Sequence, residues 1–133
     1  NVILIEQYIR GREITVGILN GKALPIVEII PDHQLYDYEC KYSPGMSQYI
    51  CPAEIASEKV KQIKKDSEKI FKILGCSGYG RIDFLLDEKD RYFFLELNTL
   101  PGMTSTSLLP VAADSSGKSF TELVDIIIKL SLT

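Results

Sequence analysis

The chain has 133 residues, 45% of them hydrophobic and 25% charged, which predicts one compact globular domain and excludes a disordered or fibrous protein. Its 15 Lys and Arg against 18 Asp and Glu give a net charge of −3, so no basic field attracts nucleic acid or an anionic membrane. Three cysteines without a CxxC pair and a single His argue against a disulfide framework and a structural zinc site, and favour a cytoplasmic protein.

The N-terminal part of the chain predicts three β-strands. Residues 2–7 form an apolar run typical of a buried strand, and a core strand so close to the start leads us to expect the C-terminal piece of a longer protein. Strands at 12–19 and 22–30 flank an Asn-Gly pair, which predicts a tight hairpin. The segment 31–44 has turn residues at both ends and three tyrosines, which is typical of a functional loop.

The second half of the chain predicts helices around a second hairpin. A short strand is expected at 46–51, followed by a helix at 57–74 with apolar residues at helical spacing and a glycine just past its end. Strands at 81–86 and 92–98 flank a charged four-residue turn. A Ser-x-x-Glu capping box opens a helix at 119–131.

The second hairpin predicts a polar face. If its strands pair symmetrically about the turn, Asp83 lies opposite Glu96 and Arg81 lies opposite Asn98. Side chains alternate along a strand, so these four groups share one face. The opposite, core-facing side is expected to carry Ile82, Phe84, Leu95 and Leu97.

The predicted polar face has two possible interpretations, a metal site and a solvated salt-bridge surface. Opposed carboxylates repel each other and need a cation, and oxygen donors from Asp83, Glu96 and Asn98 suit Mg²⁺ together with substrate phosphates. The alternative is a solvated salt-bridge face, the usual fate of a charged strand surface. The turn that follows, at 99–107, favours the metal site. It is rich in glycine and hydroxyl groups, and its backbone N–H groups are suited to binding an oxyanion.

Other segments carry weaker signals. Residues 112–119 fit a loosened phosphate-loop pattern, but no strand precedes them, so a glycine that ends one helix and a serine that caps the next is the favoured interpretation. Lys41 is the only cation of the 31–44 loop and is suited either to close onto a phosphate or to remain an ordinary surface lysine. Glu6 and Glu13 are consistent with strand-edge charges.

Several motifs along the chain carry a resemblance to a known family. They are 6–9 (EQYI), 11–17 (GREITVG), 36–42 (YDYECKY), 51–53 (CPA), 80–84 (GRIDF) and 95–104 (LELNTLPGMT). The Arg-x-Asp pair with the following Glu-x-Asn-Thr-x-Pro-Gly-Met-Thr run is the most specific part. On these motifs the sequence resembles, nearly end to end, the C-terminal part of the D-alanine–D-alanine ligase family, within the ATP-grasp superfamily.

The resemblance implies an α+β fold and a ligase chemistry. The fold is the ATP-grasp C-terminal subdomain, a largely antiparallel sheet with helices packed on it, including a short helix near 107–114. The implied reaction joins two D-alanines with ATP through an acyl phosphate, for the peptidoglycan precursors of the bacterial cell wall and hence cell shape. All of residues 1–133 would be the C-terminal domain, with the N-terminal and central domains absent.

The resemblance also implies roles for the residues of the polar face. Asp83 and Glu96 would hold one Mg²⁺, and Glu96 and Asn98 a second, both bridging the nucleotide phosphates, with Mn²⁺ as a substitute. Arg81 would stabilise the charged intermediate, and the Gly102 N–H would bind the oxyanion.

The remaining implied site residues bind the substrates. Ser107 and Leu108 would meet the carboxylate of the second D-alanine, and Glu13 the ribose of ATP. Lys41 and Tyr42 belong to the family's closing loop, from about 34 to 50, which would exclude water. The segment implied to line the adenine site consists of Glu6, Gln7, Tyr8 and Ile9.

Two details limit what the resemblance implies. Tyr42 resembles the dipeptide-forming members rather than those that accept D-lactate, whereas Thr106 replaces a His that is often found there.

Part of the catalytic cleft belongs to domains that are absent, so we expect the isolated chain to be inert. Members often form dimers, so a homodimer is an expectation, and no apolar run or leader predicts a membrane partner. The alternatives are another ATP-grasp carboxylate–amine ligase and a non-catalytic binding domain.

Overall fold

The computed structural model describes residues 3–31 and 47–132. Its strands pair into one antiparallel sheet in the order β3-β2-β1-β4-β5. The strands are β1 Gly11–Leu19, β2 Lys22–Pro31, β3 Ser47–Ile50, β4 Tyr79–Asp87 and β5 Tyr92–Asn98, and the helices are α1 Ser57–Ile73, α2 Leu108–Ser115 and α3 Phe120–Ser131. The predicted α+β fold with a largely antiparallel sheet is confirmed.

The β1–β2 hairpin follows directly from its turn residues. Asn20 and Gly21 both have positive φ, +50° and +71°, which is the conformation that a two-residue hairpin turn requires and that Asn and Gly tolerate. Leu19 pairs with Lys22 across this turn. The central position of β1 then follows, because β1 pairs with β2 on one side and with β4 on the other.

Two hydrophobic cores cover the two faces of the sheet. Side chains alternate along β1, so Val16 and Ile18 point toward α1. Gly17, between these two, lies on the opposite face under α2. The core beneath α1 contains Ile14, Val16, Ile18, Ile26, Ile63, Phe71, Ile82, Phe84 and Leu86. The core beneath α2 and α3 contains Leu24, Val27, Ile29, Leu109, Ala112, Ala113 and Leu123. Each large side chain buried there stabilises the fold by roughly 1.5–3 kcal/mol.

The helix boundaries agree with the sequence signals. Helix α1 ends before Gly75, whose φ of +70° and N–H bond to the Lys72 carbonyl at 3.1 Å form the expected glycine stop. Helix α3 begins with the predicted capping box, in which Ser119 and Glu122 each bond the other's backbone N–H. None of the helices in the described ranges combines the length and apolarity needed to cross a membrane.

The predicted strand at 2–7 is wrong over its described part. Residues 3–10 adopt no regular structure, and Ile3, Leu4 and Ile5 are 79%, 83% and 84% exposed. A strand is stabilised by a hydrogen-bonded neighbour and a buried face. Within the described ranges, neither is supplied to this segment. The predicted loop at 31–44 lies almost wholly outside the described residues.

Candidate active site

The β4–β5 hairpin has the predicted register at its functional end. Asp83 pairs with Glu96, and Arg81 pairs with Asn98. Near the turn the register differs by one, because the hairpin loop has five residues and a β-bulge after Asp83 restores the pairing. Leu95 is the extra residue of this bulge and is 46% exposed, so its predicted place in the core is wrong.

Asp83 is the buried centre of the polar face, with 3% of its surface exposed. Arg81 donates two hydrogen bonds to the Asp83 carboxylate, from Nε to Oδ1 at 2.9 Å and from Nη2 to Oδ2 at 2.8 Å. Thr15, directly opposite on β1, donates a third hydrogen bond to Oδ1 at 2.6 Å. Arg81 therefore supplies the compensating positive charge, while Glu96 across the hairpin stays exposed.

The turn after β5 brings a second group of predicted residues together. The Asn98 side-chain oxygen accepts a hydrogen bond from the Leu100 N–H at 2.9 Å. The Ser107 hydroxyl accepts from the Thr104 N–H at 3.0 Å. A Cβ at Gly102 would lie 2.9 Å from the Ser107 hydroxyl oxygen, so a larger residue there would displace the Ser107 side chain.

Ser107 and Leu108, the predicted substrate residues, lie at the start of α2 but differ in their surroundings. Ser107 is the residue that precedes α2, where free backbone N–H groups favour a negative group. Leu108 is buried in the core beneath α2 and α3. It therefore anchors the start of α2, and its side chain is largely removed from solvent.

The residues predicted to bind the nucleotide are spread over three regions. Glu13 is half-buried on β1, two positions before Thr15 and on the same face. The adenine segment lies in the irregular stretch at 3–10, where Tyr8 is 80% exposed. Lys41 and Tyr42 lie outside the described residues. Among the described members of this set, only Glu13 lies on the sheet.

The donor chemistry of the face fits a divalent cation. Asp83 Oδ2 and Asn98 Oδ1 each accept one described hydrogen bond and so each retain a lone pair, and Glu96, which pairs with Asp83, is exposed. Two carboxylates and an amide are a set that Mg²⁺ accepts when substrate phosphates complete its shell. Among the described residues, no group of three or more His, Cys, Asp and Glu gathers as a self-sufficient metal site.

Sequence reasoning missed Thr15, and it treated residues 112–119 correctly. Thr15 shows its role only once β1 pairs with β4, a long-range contact that no local pattern reveals. Residues 112–115 belong to α2, Gly117 has a φ of +82°, and Ser119 caps α3. The segment is therefore a helix–turn–helix connection, as the favoured interpretation predicted.

The comparison with protein families identifies the class of domain that carries this fold and this polar face. The family model described as "D-ala D-ala ligase C-terminus" matches residues 1–129, nearly the whole chain. The chain belongs to the D-alanine–D-alanine ligase C-terminal family.

Individual relatives give the same result. The D-alanine–D-alanine ligase of Methylacidiphilum infernorum is 47% identical over 131 residues, which are 98% of this chain and 43% of that protein. The D-alanine–D-alanine ligase of Aquifex aeolicus is 50% identical over 127 residues, 95% of this chain and 43% of that protein. The chain thus spans about two fifths of the length of the curated relatives it matches.

Solved structures confirm the predicted fold. The D-alanine–D-alanine ligase from Bacillus anthracis in complex with ATP aligns with a TM-score of 0.79 and 36% identity, over 96% of this chain and 40% of that one. The VanG D-Ala:D-Ser ligase from Enterococcus faecalis aligns with a TM-score of 0.76 and 32% identity, over 93% of this chain and 37% of that one.

Proposed function

We propose that this chain is the metal- and phosphate-binding part of an ATP- and Mg²⁺-dependent D-alanine–D-alanine ligase, which joins two D-alanines through an acyl phosphate. The observation that carries the proposal is the pair of opposed carboxylates, buried Asp83 and exposed Glu96, beside Asn98. It occurs in a chain that is 47% identical to a D-alanine–D-alanine ligase. The ligase would act in the bacterial cytoplasm and supply the cell wall.

The polar face would hold the cations and the transferred phosphate. Asp83 and Glu96 would bind one Mg²⁺, Glu96 and Asn98 the second, and the ions would neutralise the phosphate charge of ATP when bound. Mn²⁺ offers the same preference for oxygen ligands. Arg81 already carries a fixed positive charge beside Asp83, where it would meet the negative charge that develops during phosphoryl transfer.

The turn and the start of α2 would bind the amino-acid substrates. The Gly102 N–H would stabilise the oxyanion formed when the second D-alanine attacks the acyl phosphate. Ser107 and Leu108 would position the carboxylate of that second D-alanine, and the packing of Leu108 in the core supports this by fixing the helix start. Lys41 and Tyr42 would close over the phosphates and the substrates.

The nucleotide base and the rest of the cleft would involve further domains of the same ligase. Glu13 would meet the ribose, and the exposed segment from Glu6 to Ile9 would line the adenine site. The exposure of this segment supports the proposal, because a large side chain such as Tyr8, 80% exposed, is expected to be covered by a ligand or by another part of the protein. A homodimer remains an expectation of the family resemblance.

A second candidate differs only in the second substrate. One of the matching structures is a D-Ala:D-Ser ligase, and Thr106 lies in the turn between Thr104 and Ser107, whose hydroxyls are 2.8 Å apart. A D-serine side chain adds one hydroxyl to D-alanine, a difference that a binding pocket discriminates only modestly. Other ATP-grasp carboxylate–amine ligases would share the metal face without this substrate pair.

The test is a substrate panel on the full-length protein that contains this chain. ATP, Mg²⁺ and D-alanine are supplied alone and with D-serine, D-lactate or L-alanine, and the product is identified by mass spectrometry together with phosphate release. D-Alanyl-D-alanine as the main product supports the proposal. A mixed D-alanyl-D-serine product favours the second candidate, and no product from any D-amino acid contradicts both.

A further inference from the structure

We infer that Thr15 is a positioning residue for the candidate metal site, whose hydroxyl fixes the Asp83 carboxylate for a divalent cation. The inference rests on the proposed function, because it takes Asp83 as a metal ligand. Thr15 belongs to neither the predicted metal set nor the predicted substrate set. It contributes from β1, whereas Asp83 and the other predicted ligands lie on β4 and β5.

The hydroxyl of Thr15 has one dominant acceptor. Thr15 is 1% exposed and pairs directly with Asp83 across the β1–β4 ladder. Its oxygen lies 2.6 Å from Asp83 Oδ1 and 3.2 Å from the Ile82 carbonyl oxygen. A hydroxyl has one proton to donate, and hydrogen bonds to ionised acceptors are the shorter and stronger ones. The proton therefore belongs to the carboxylate.

Because of this hydrogen bond, the two carboxylate oxygens of Asp83 differ in how many lone pairs are already used. Oδ1 accepts from Thr15 and from Arg81 Nε, which uses both of its lone pairs. Oδ2 accepts only from Arg81 Nη2 among the described contacts, and it retains a lone pair for a cation. The carboxylate is thus saturated on one oxygen and available on the other.

Thr15 adds a constraint that Arg81 alone does not. Arg81 and Asp83 are two positions apart on β4, so Arg81 approaches the carboxylate from the same strand. Thr15 ties the carboxylate to the neighbouring strand instead. Partners that orient a metal ligand in this way are worth about 10–100-fold in metal affinity when they are removed.

The experiment measures metal binding directly, without turnover. Water-proton relaxation follows Mn²⁺ binding to the full-length protein at fixed ATP and without D-alanine, because the signal separates the protein-bound ion from the Mn²⁺–ATP complex. We expect Thr15→Val, which keeps the shape and removes the hydroxyl, to weaken Mn²⁺ binding at least about tenfold. Thr15→Ser, which keeps the hydroxyl, should bind close to the wild-type affinity.

Controls separate positioning from general damage. Ser67→Ala removes another fully buried hydroxyl, in α1 on the opposite face of the sheet, and should leave Mn²⁺ binding unchanged. Thermal unfolding without metal checks that each variant folds. If Thr15→Val does not fold, Thr15→Ala is compared with Thr15→Ser, since these two differ in the hydroxyl alone.

The possible failures are distinguishable. Wild-type Mn²⁺ affinity in Thr15→Val, or an equal loss in Thr15→Ser, overturns the role of the hydroxyl while a loss in Glu96→Gln still supports the metal site. Absence of Mn²⁺ binding by the wild-type protein, or unchanged binding in Glu96→Gln, overturns the proposed metal site and the role of Thr15 with it.

Discussion

Asp83 and Glu96 face each other across two strands but meet opposite environments. Asp83 is buried against Arg81 and Thr15, whereas Glu96 is exposed on the edge strand β5. The Arg81 and Asp83 side chains are 16% and 5% exposed, so they form an almost fully buried ion pair. Removing one member of such a pair is costly, because the other charge is left without its partner.

Asp83→Asn and Glu96→Gln should therefore separate stability from function. Asp83→Asn is expected to lower the free energy of unfolding by about 3 kcal/mol, since Arg81 loses its buried counter-charge. Glu96→Gln, on the exposed partner position, should change it by less than about 0.5 kcal/mol. Urea unfolding of both variants measures the difference, and equal effects on stability would contradict the assignment of the buried pair.

For single residues, the sequence predicted which side chains share the polar face but not all of the hydrogen bonds that hold them. Alternation along two strands is enough to bring Asp83, Glu96 and Asn98 together. The contribution of Thr15 depends on which strand lies beside β4 and in which register. Those are long-range choices made by the whole sheet.

At the scale of elements, β5 is held to α1 by Tyr92. The Tyr92 hydroxyl donates a hydrogen bond to the Asp66 carboxylate, and the ring packs edge-on against Phe84 with centroids 5.8 Å apart. The Lys59 ammonium lies 5.6 Å from the ring centroid. Burial and the Asp66 carboxylate raise the pKa of Tyr92 to about 12. This contact steadies the edge strand that carries Glu96.

The raised pKa of Tyr92 predicts a dependence of stability on alkaline pH. An unfolded tyrosine ionises near pH 10, so the neutral Tyr92 contributes fully below pH 10 and its contribution falls as the pH rises toward 12. Tyr92→Phe lacks both the Asp66 hydrogen bond and this titration. The difference in unfolding free energy between wild type and Tyr92→Phe should shrink from pH 8 to pH 11.5, and parallel curves would contradict the account.

Gly17 sets how closely α2 approaches the sheet. A Cβ there would lie 2.7 Å from Leu109 Cδ1 and 3.1 Å from Leu24 Cδ1, and Leu109 is fully buried. Gly17→Ala should cost about 1–3 kcal/mol through overpacking. Because α2 begins at Leu108, beside Ser107, the KM for D-alanine should also rise.

Ile63→Val provides the comparison for this prediction. Ile63 lies on α1 and is fully buried against the other face of the sheet, and the loss of one methylene there should cost about 0.5–1.5 kcal/mol. A similar loss of stability without a change in the KM for D-alanine is expected, with both quantities measured by urea unfolding and steady-state kinetics. A KM for D-alanine that is unaffected by Gly17→Ala would show that α2 does not position the substrate residues.

Element prediction succeeded where local signals decide the structure and failed where a distant partner decides it. The hairpin at Asn20 and Gly21 and the capping box at Ser119 are local chemistry, and both were predictable. The apolar run at 3–5 has the composition of a strand, but no described strand pairs with it. The bulge after Asp83 also escaped prediction, because it compensates a hairpin loop one residue longer than assumed.

For the whole molecule, the sheet has one face under α1 and the other shared between the α2–α3 core and the polar face. The chain spans about two fifths of its curated relatives, 43% of the Methylacidiphilum infernorum ligase for example. The family resemblance implies that other domains of the ligase supply part of the cleft, and reacting groups that are not held in alignment lose most of their rate advantage. The 133-residue chain alone should therefore release no phosphate from ATP in the presence of D-alanine.

The most direct test of the central claim is D-alanine-dependent phosphate release by the full-length ligase carrying Glu96→Gln, at saturating Mg²⁺. Glu88→Gln is the matched control, since Glu88 lies in the turn of the same hairpin with its side chain 80% exposed. Loss of one metal-binding carboxylate should slow the reaction at least about a hundredfold, while Glu88→Gln keeps the wild-type rate. Wild-type turnover by a folded Glu96→Gln variant would contradict the assignment of this face as the catalytic metal site.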